Sequence, residues 1–149
     1  MYKKILIPSV GSELSKKAIE HGVRLAREMN ASLVFVTVTR PLHSIDHEPS
    51  VAEDMPDEYK EFVHDYLTAD SAGYLEAAKA IAVDAGIPCE TFHVEHEHVY
   101  QGIIETAKST TCDLITMASH GRRGVSAIVL GSETLKVLTH SEIPVLVYR

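Results

Sequence analysis

Ser32-Leu33-Val34-Phe35-Val36-Thr37-Val38-Thr39 is the stretch that decides the fold. Apolar side chains alternate between opposite faces of an extended chain, so Leu33, Val34, Phe35 and Val36 in unbroken succession place hydrophobic groups on both faces. A strand buried on both faces belongs to a sheet covered by helices on either side, which is the setting of a parallel sheet. Working outward, Lys4-Ile5-Leu6-Ile7-Pro8 has the same two-faced character and reads as a first strand. Between the two runs, Leu14, Ala18, Gly22, Leu25 and Met29 recur every three or four residues, as one face of a helix does. Ser12 is suited to cap that helix and Asn30 to stop it.

The alternation continues to the end of the chain. Residues 40–56 break all periodicity and contain Pro41, Pro49 and Pro56, a length of irregular chain that in a compact domain marks a lid or an excursion. A long helix follows, with Phe62, Tyr66, Ala69, Gly73, Ala77 and Ala80 expected on one face, ending at Gly86-Ile87-Pro88. Cys89 to Glu95 reads as a third strand and Val99 to Lys108 as a short helix, with Ile103, Ile104 and Ala107 inward. Asp113 to Ala118 is a fourth strand, Ser132 to Thr139 a last helix and Pro144 to Tyr148 a fifth strand. The order β-α-β-α-β-α-β-α-β predicts an α/β fold: a doubly wound parallel sheet with helices on both faces, in one domain spanning residues 1–149.

Bulk properties narrow the function. A length of 149 residues with 45% hydrophobic and 23% charged residues is ordinary for a globular domain. No apolar run reaches the ~20 residues that span a bilayer, and the start lacks the pattern of a signal peptide, so a cytoplasmic location is expected. The formal charge of −7 argues against nucleic acid, which rewards clustered Lys and Arg. Cys89 and Cys112 lack a CxxC spacing and read as thiols buried in separate strands.

In open sheets of this kind, ligands sit beyond the carboxyl ends of the strands, where the strand order reverses. Two loops lie there: Pro8 to Ser12, and Ala118 to Ser132. The second holds Gly121, Gly124 and Gly131, the densest glycine spacing in the chain, with Arg122 and Arg123 beside them. Glycines permit close backbone approach to a phosphate, and a helix starting near Ser132 adds unpaired N–H groups and the positive end of its dipole. An ordinary glycine-containing turn into a helix fits the same residues. Neither GxGxxG nor GxxxxGK[ST] occurs, which speaks against a dinucleotide fold and a P-loop.

Residues 117–132, Met-Ala-Ser-His-Gly-Arg-Arg-Gly-Val-Ser-Ala-Ile-Val-Leu-Gly-Ser, followed by Pro144-Val-Leu-Val147, resemble the C-terminal signature of the universal stress protein family. Ile5-Leu-Ile-Pro-Ser-Val-Gly-Ser12 resembles its first strand and turn, and the element order matches over essentially the whole chain. The resemblance implies a sheet of order 3-2-1-4-5 and a homodimer formed through the last strands, here Val145 to Tyr148. It implies an adenine nucleotide as ligand, ATP or AMP, with Mg accompanying ATP. The family's ATP-binding pattern, Gly-x2-Gly-x9-Gly-(Ser/Thr), falls on Ala118, Gly121, Gly131 and Ser132. By the same matching, Pro8, Ser9 and Val10 lie under the ribose and phosphates, and Val38 and Met117 border the adenine. Gly121, Gly131, Ser132, Glu133 and Thr134 surround the phosphates.

Three residues depart from the pattern or oppose it. Val10 stands where the family usually has Asp, and loss of one charged hydrogen bond costs about 1.5–3 kcal/mol, or one to two decades of affinity. Ala118 replaces the first glycine. Glu133 suits the helix dipole but repels a phosphate if it points inward. Weak binding, or a ligand with fewer phosphates such as AMP or a cyclic nucleotide, suits these departures.

The other polar constellations are weaker. His93-Val-Glu-His-Glu-His98 carries imidazoles and carboxylates of the kind that bind zinc, although a solvated turn is expected there. His43 and His47 read as surface histidines in the irregular stretch, and His120 is either a ligand contact or a plain loop residue. Ser126 lacks the nucleophile-elbow context, so no catalytic set stands out. The leading expectation is a nucleotide-binding protein of stress response or signalling. A nucleotide-free dimeric interaction module of the same fold is the alternative, and a slow ATPase or metal-dependent hydrolase is a third.

Overall fold

The computed structural model describes residues 1–41, 56–119 and 130–149; the irregular stretch with His43 and His47, and most of the glycine loop, lie outside them. The described residues form strands β1 (Lys4–Pro8), β2 (Ser32–Thr39), β3 (Cys89–Glu95), β4 (Leu114–Ala118) and β5 (Val145–Tyr148). Helices α1 (Glu13–Met29), α2 (Asp57–Asp84), α3 (Val99–Ser109) and α4 (Ser132–His140) connect them. All strand pairs are parallel and the sheet order is β3-β2-β1-β4-β5, as the sequence leads one to expect.

Each face of the sheet builds its own core. Ile5, Ile7, Leu33 and Phe35 point to one side, where Ile19, Val23 and Ala26 of α1 and Leu75, Ala78 and Ala82 of α2 cover them. Leu6, Val34, Val36, Ile115 and Met117 point to the other, under Ile103, Ile104 and Ala107 of α3 and Val137 of α4. The single-residue alternation explains why the β1 and β2 sequences are apolar throughout.

Two helix faces differ from expectation. Among the described side chains of α2 the buried ones are Ser71, Leu75, Ala78 and Ala82, whereas Phe62 is 64% exposed and Ala69, Gly73, Ala77 and Ala80 face solvent; the side chain of Tyr66 lies outside the described ones. An alanine-rich helix offers two similar faces, and Leu75 settles which one is buried. In α1 the buried set is Ser15, Ala18, Ile19, Gly22, Val23 and Ala26, so Leu14, Leu25 and Met29 flank the contact rather than centre it. Gly22 is needed there because a Cβ would collide with the side chain of Ile7.

Helices α1, α2 and α3 end by one recurring device. The chain turns through a left-handed residue, and the next N–H reaches back to a carbonyl five residues earlier. At Asn30 (φ 55°) the bond is Ala31 N–H to Ala26 O, 2.8 Å. At Gly86 (φ 72°) it is Ile87 N–H to Ala82 O, 2.9 Å, and at Thr111 (φ 58°) it is Cys112 N–H to Ala107 O, 2.8 Å. Each turn delivers the chain into a strand: Asp113 N–H donates to Lys4 O, and its carboxylate accepts from the Lys3 and Lys4 N–H groups at 2.9 and 3.0 Å. This clamp sets β4 beside β1.

Cys112 precedes β4 rather than lying within it, and is buried; Cys89, opening β3, is half-buried. Burial pushes both thiols above the ordinary value, with a Thr110 hydrogen bond partly opposing it at Cys112. Among the described residues, no helix is long and apolar enough to cross a membrane. Among the described residues Phe35 is the largest fully buried side chain, so Phe35→Ala should lower the unfolding free energy by about 3–5 kcal/mol, read from the shift in denaturant midpoint.

Candidate functional site

Because β1 and β4 are neighbours while their chains leave toward opposite edges, the sheet's switch point lies between their carboxyl ends. Two structures meet there: the turn from β1 into α1, and the start of α4.

The β1–α1 turn is held by its own surroundings. Pro8 ends β1 and is half-buried, and Ser9 is 2% exposed. The Ser9 N–H donates to Val36 O at 2.8 Å, while its carbonyl accepts from the Thr37 hydroxyl at 2.9 Å. The Val10 N–H donates to the buried Ser15 hydroxyl at 3.3 Å. Gly11 has φ +75°, which favours glycine, and the Tyr74 ring of α2 occupies the space that a side chain would need. Ser12 then caps α1, accepting from Ser15 N–H at 3.1 Å. Ser15, Thr37 and Tyr74 were not singled out from sequence. A serine three residues past a cap and a threonine inside an apolar strand are the local signals that could have found the first two.

On the other wall, the ends of the glycine loop are drawn together. The Gly131 N–H donates to Ser119 O at 2.6 Å, and Ser119 N–H in turn donates to Tyr148 O at 2.8 Å. The Thr134 hydroxyl donates to Ala118 O at 2.9 Å. These bonds seat the first turn of α4 at the end of β4. Gly131 is the N-cap and gives no side-chain cap, so the N–H groups of Ser132, Glu133 and Thr134 are the donors that a helix leaves without intrahelical partners. Together with the helix dipole they form an anion-binding end.

Glu133 does not compete for this end. Its carboxylate accepts from the Tyr100 N–H at 3.0 Å and lies 3.4 Å from Lys136 Nζ. It therefore caps α3, whose own N-cap residue, His98, makes no side-chain cap bond. Val38 and Met117 both join the core under α3 and α4: Met117 is buried, and Val38 packs from the edge against Gly102. Ala118 is half-buried at the end of β4. Of the sequence-derived site, Pro8, Ser9, Val10, Val38, Met117, Ala118, Gly131, Ser132, Glu133 and Thr134 are placed at the carboxyl edge or just behind it. His120, Gly121, Arg122 and Gly124 lie outside the described residues.

β3 ends at Glu95, and His96 to His98 form the turn into α3. His96 Nδ1 accepts from the His98 N–H at 2.9 Å, and its Nε2 is 3.5 Å from the Glu105 carboxylate. His93 is engaged with the Thr39 hydroxyl at 2.7 Å. Among the described residues, no three His, Cys, Asp or Glu side chains converge as a metal site requires.

Replacing Glu133 by alanine should leave the Tyr100 N–H uncapped and cost about 0.5–2 kcal/mol, read by thermal or denaturant unfolding. Ligand affinity at the α4 end should not fall, because the carboxylate is turned toward α3.

Comparison with known proteins agrees with this architecture. The chain matches the universal stress protein family over residues 1–149. It is 31% identical over 150 residues to universal stress protein MJ0531 of Methanocaldococcus jannaschii, covering all of this chain and 83% of that one. It is 30% identical over 149 residues to YxiE of Bacillus subtilis, covering both completely. Among solved structures, MJ0577 superposes with a TM-score of 0.79 at 26% identity, over 99% of this chain and 95% of that one. A universal stress protein in complex with cAMP superposes with a TM-score of 0.70 at 21% identity, over 99% and 97% of the chains. One from Archaeoglobus fulgidus in complex with dAMP gives 0.68 at 16% identity, over 99% and 98%. With its parallel 3-2-1-4-5 sheet and a match along its full length, the chain belongs to the universal stress protein family.

Proposed function

We propose that this protein binds an adenine nucleotide, ATP or AMP, at the carboxyl edge between β1 and β4 and works as a cytoplasmic stress-response or signalling protein. The observation that carries the reading is the first turn of α4, without a side-chain cap and seated on β4 by the Gly131–Ser119 and Thr134–Ala118 hydrogen bonds. Preorganised N–H donors at a helix end bind phosphate with little cost of reordering. Family relatives in complex with cAMP and dAMP support the same ligand class. In this reading Pro8, Ser9 and Val10 floor the sugar, Val38 and Met117 border the base, and His120, Gly121, Arg122 and Gly124 complete the phosphate wall. Val10 carries no charge to hold Mg, so AMP or a cyclic nucleotide is the favoured ligand and Mg accompanies only ATP.

The reading includes a homodimer through Val145 to Tyr148. β5 is an edge strand. Pro144 O and Tyr148 O bond toward β4, so Val145 and Val147 turn their backbone groups outward. Leu146 is 47% exposed beside them, with Leu135 and Leu138 exposed on the adjoining helix. An edge strand with apolar neighbours favours pairing with another strand. The same edge would serve a nucleotide-free interaction module, the reading to which Val10 lends support.

Mass spectrometry of small molecules released from the denatured protein, with calorimetry of AMP and Mg-ATP, separates the two: the nucleotide reading requires binding, and none at millimolar ligand refutes it. Gly131 has φ −59° and ψ 150°, which any residue can adopt, so Gly131→Glu should fold and bind AMP at least about tenfold more weakly. Leu146→Lys should convert a dimer to a monomer in sedimentation.

A further inference from the structure

We propose that β5 pairs antiparallel with β5 of a second copy of this chain, in the register that sets Leu146 directly opposite Leu146 of that copy. The inference rests on the homodimer reading and adds to it the direction and register of the pairing.

The backbone fixes the direction. Pro144 O and Tyr148 O accept from the Ile115 and Ser119 N–H groups on the β4 side. Along β5 the even-numbered residues therefore bond inward, and Val145 and Val147 present their N–H and C=O groups at the edge. A two-fold axis parallel to the strands would set N–H against N–H at equal height. A two-fold axis perpendicular to the sheet makes the strands antiparallel and sets donors against acceptors. Outward residues must then face outward residues, so the permitted registers differ by steps of two residues.

Side chains choose among these registers. Thr116 pairs with Leu146 and Ala118 with Tyr148 across β4 and β5. Leu146 and Tyr148 thus share the α1 face, where the Tyr148 ring lies 4.3 Å from that of His21. Val145 and Val147 share the other face, and Val145 packs on the core under α3 and α4. With Leu146 on Leu146, Val145 faces Val147 and Tyr148 faces Pro144 of the second copy, so every residue of β5 meets an apolar partner. Slid one step in one direction, Tyr148 would face Glu142; slid the other way, Val145 would face Arg149. The central register avoids both and brings Arg149 beside Glu142 of the second copy, a meeting of opposite signs.

The α1 side of the seam is set before pairing. Leu146 is 47% exposed and Pro144 is exposed, so both have surface left to cover. Arg24 donates to His21 Nε2 at 3.1 Å, which holds the imidazole against Tyr148 and limits the freedom that the tyrosine loses on association. Pro144 meets Tyr148 in a non-hydrogen-bonded pair, where its missing N–H is not called on.

The test is disulfide trapping in the full chain with Cys89 replaced by serine, which leaves the buried Cys112 as the one native thiol. Opposing Cα atoms in a non-hydrogen-bonded pair stand about 4.5 Å apart, within the span of a disulfide. Leu146→Cys should therefore give a disulfide-linked dimer under mild oxidation. Val145→Cys and Val147→Cys should stay reduced, because neither residue faces itself. A Leu146→Cys protein that sediments as a dimer yet forms no disulfide, or a disulfide in either valine variant, overturns the register and leaves the dimer reading standing. A wild-type protein that sediments as a monomer removes both.

Discussion

The 2.6 Å hydrogen bond from the Gly131 N–H to the Ser119 carbonyl is the constraint on which the site depends. It closes the ends of the glycine loop on each other at the mouth of β4. With Thr134 tied to Ala118, it fixes the point at which α4 begins. A helix that started one turn later would aim its unpaired N–H groups away from the switch point. The dipole and donors of a helix act only within about its first turn, so placement matters more here than charge. This accounts for a candidate anion site in a chain whose net charge is −7.

The opposite wall is built on the reverse logic. Around Ser9 to Ser12 the Ser9 N–H and carbonyl, the Val10 N–H and the Ser12 hydroxyl are tied back internally, through Val36, Thr37 and Ser15. A turn tied back at these points suits a floor rather than a grip. Glu133 shows the same economy between helices: the carboxylate that could have opposed a phosphate instead caps α3 through Tyr100. Stability and ligand access are thus met by one side chain facing away from the crevice.

The central strands were legible because burial on two faces leaves an apolar run that no surface helix copies, as in Ser32–Thr39, whereas their order in the sheet came from the family resemblance. Helix stops at Asn30 and Gly86 were legible because those residue types favour left-handed backbone. The identical turn at Thr111 was not, since a β-branched residue is a poor candidate for φ 58°. Spacing failed on α2, where alanines and a glycine fit either face and only Leu75 discriminates. In the site, the residues that form the walls were readable from the family signature and the glycine spacing. The direction of Glu133, the support from Ser15 and Thr37, and the Tyr74 ring on Gly11 all depend on contacts between elements distant in sequence. Local pattern carries no record of such contacts.

The central claim is that an anion rests on the first turn of α4, facing the β1–α1 turn. The most direct measurement is a titration with AMP followed by the backbone amide resonances. The account predicts saturable shifts at Ser132, Glu133 and Thr134, with smaller ones at Val10 and Gly11. Shifts confined to the shallow depression of about 540 Å³ between α1 and α2, around Arg24, Arg27 and Asp84 at the far end of the sheet, would contradict it.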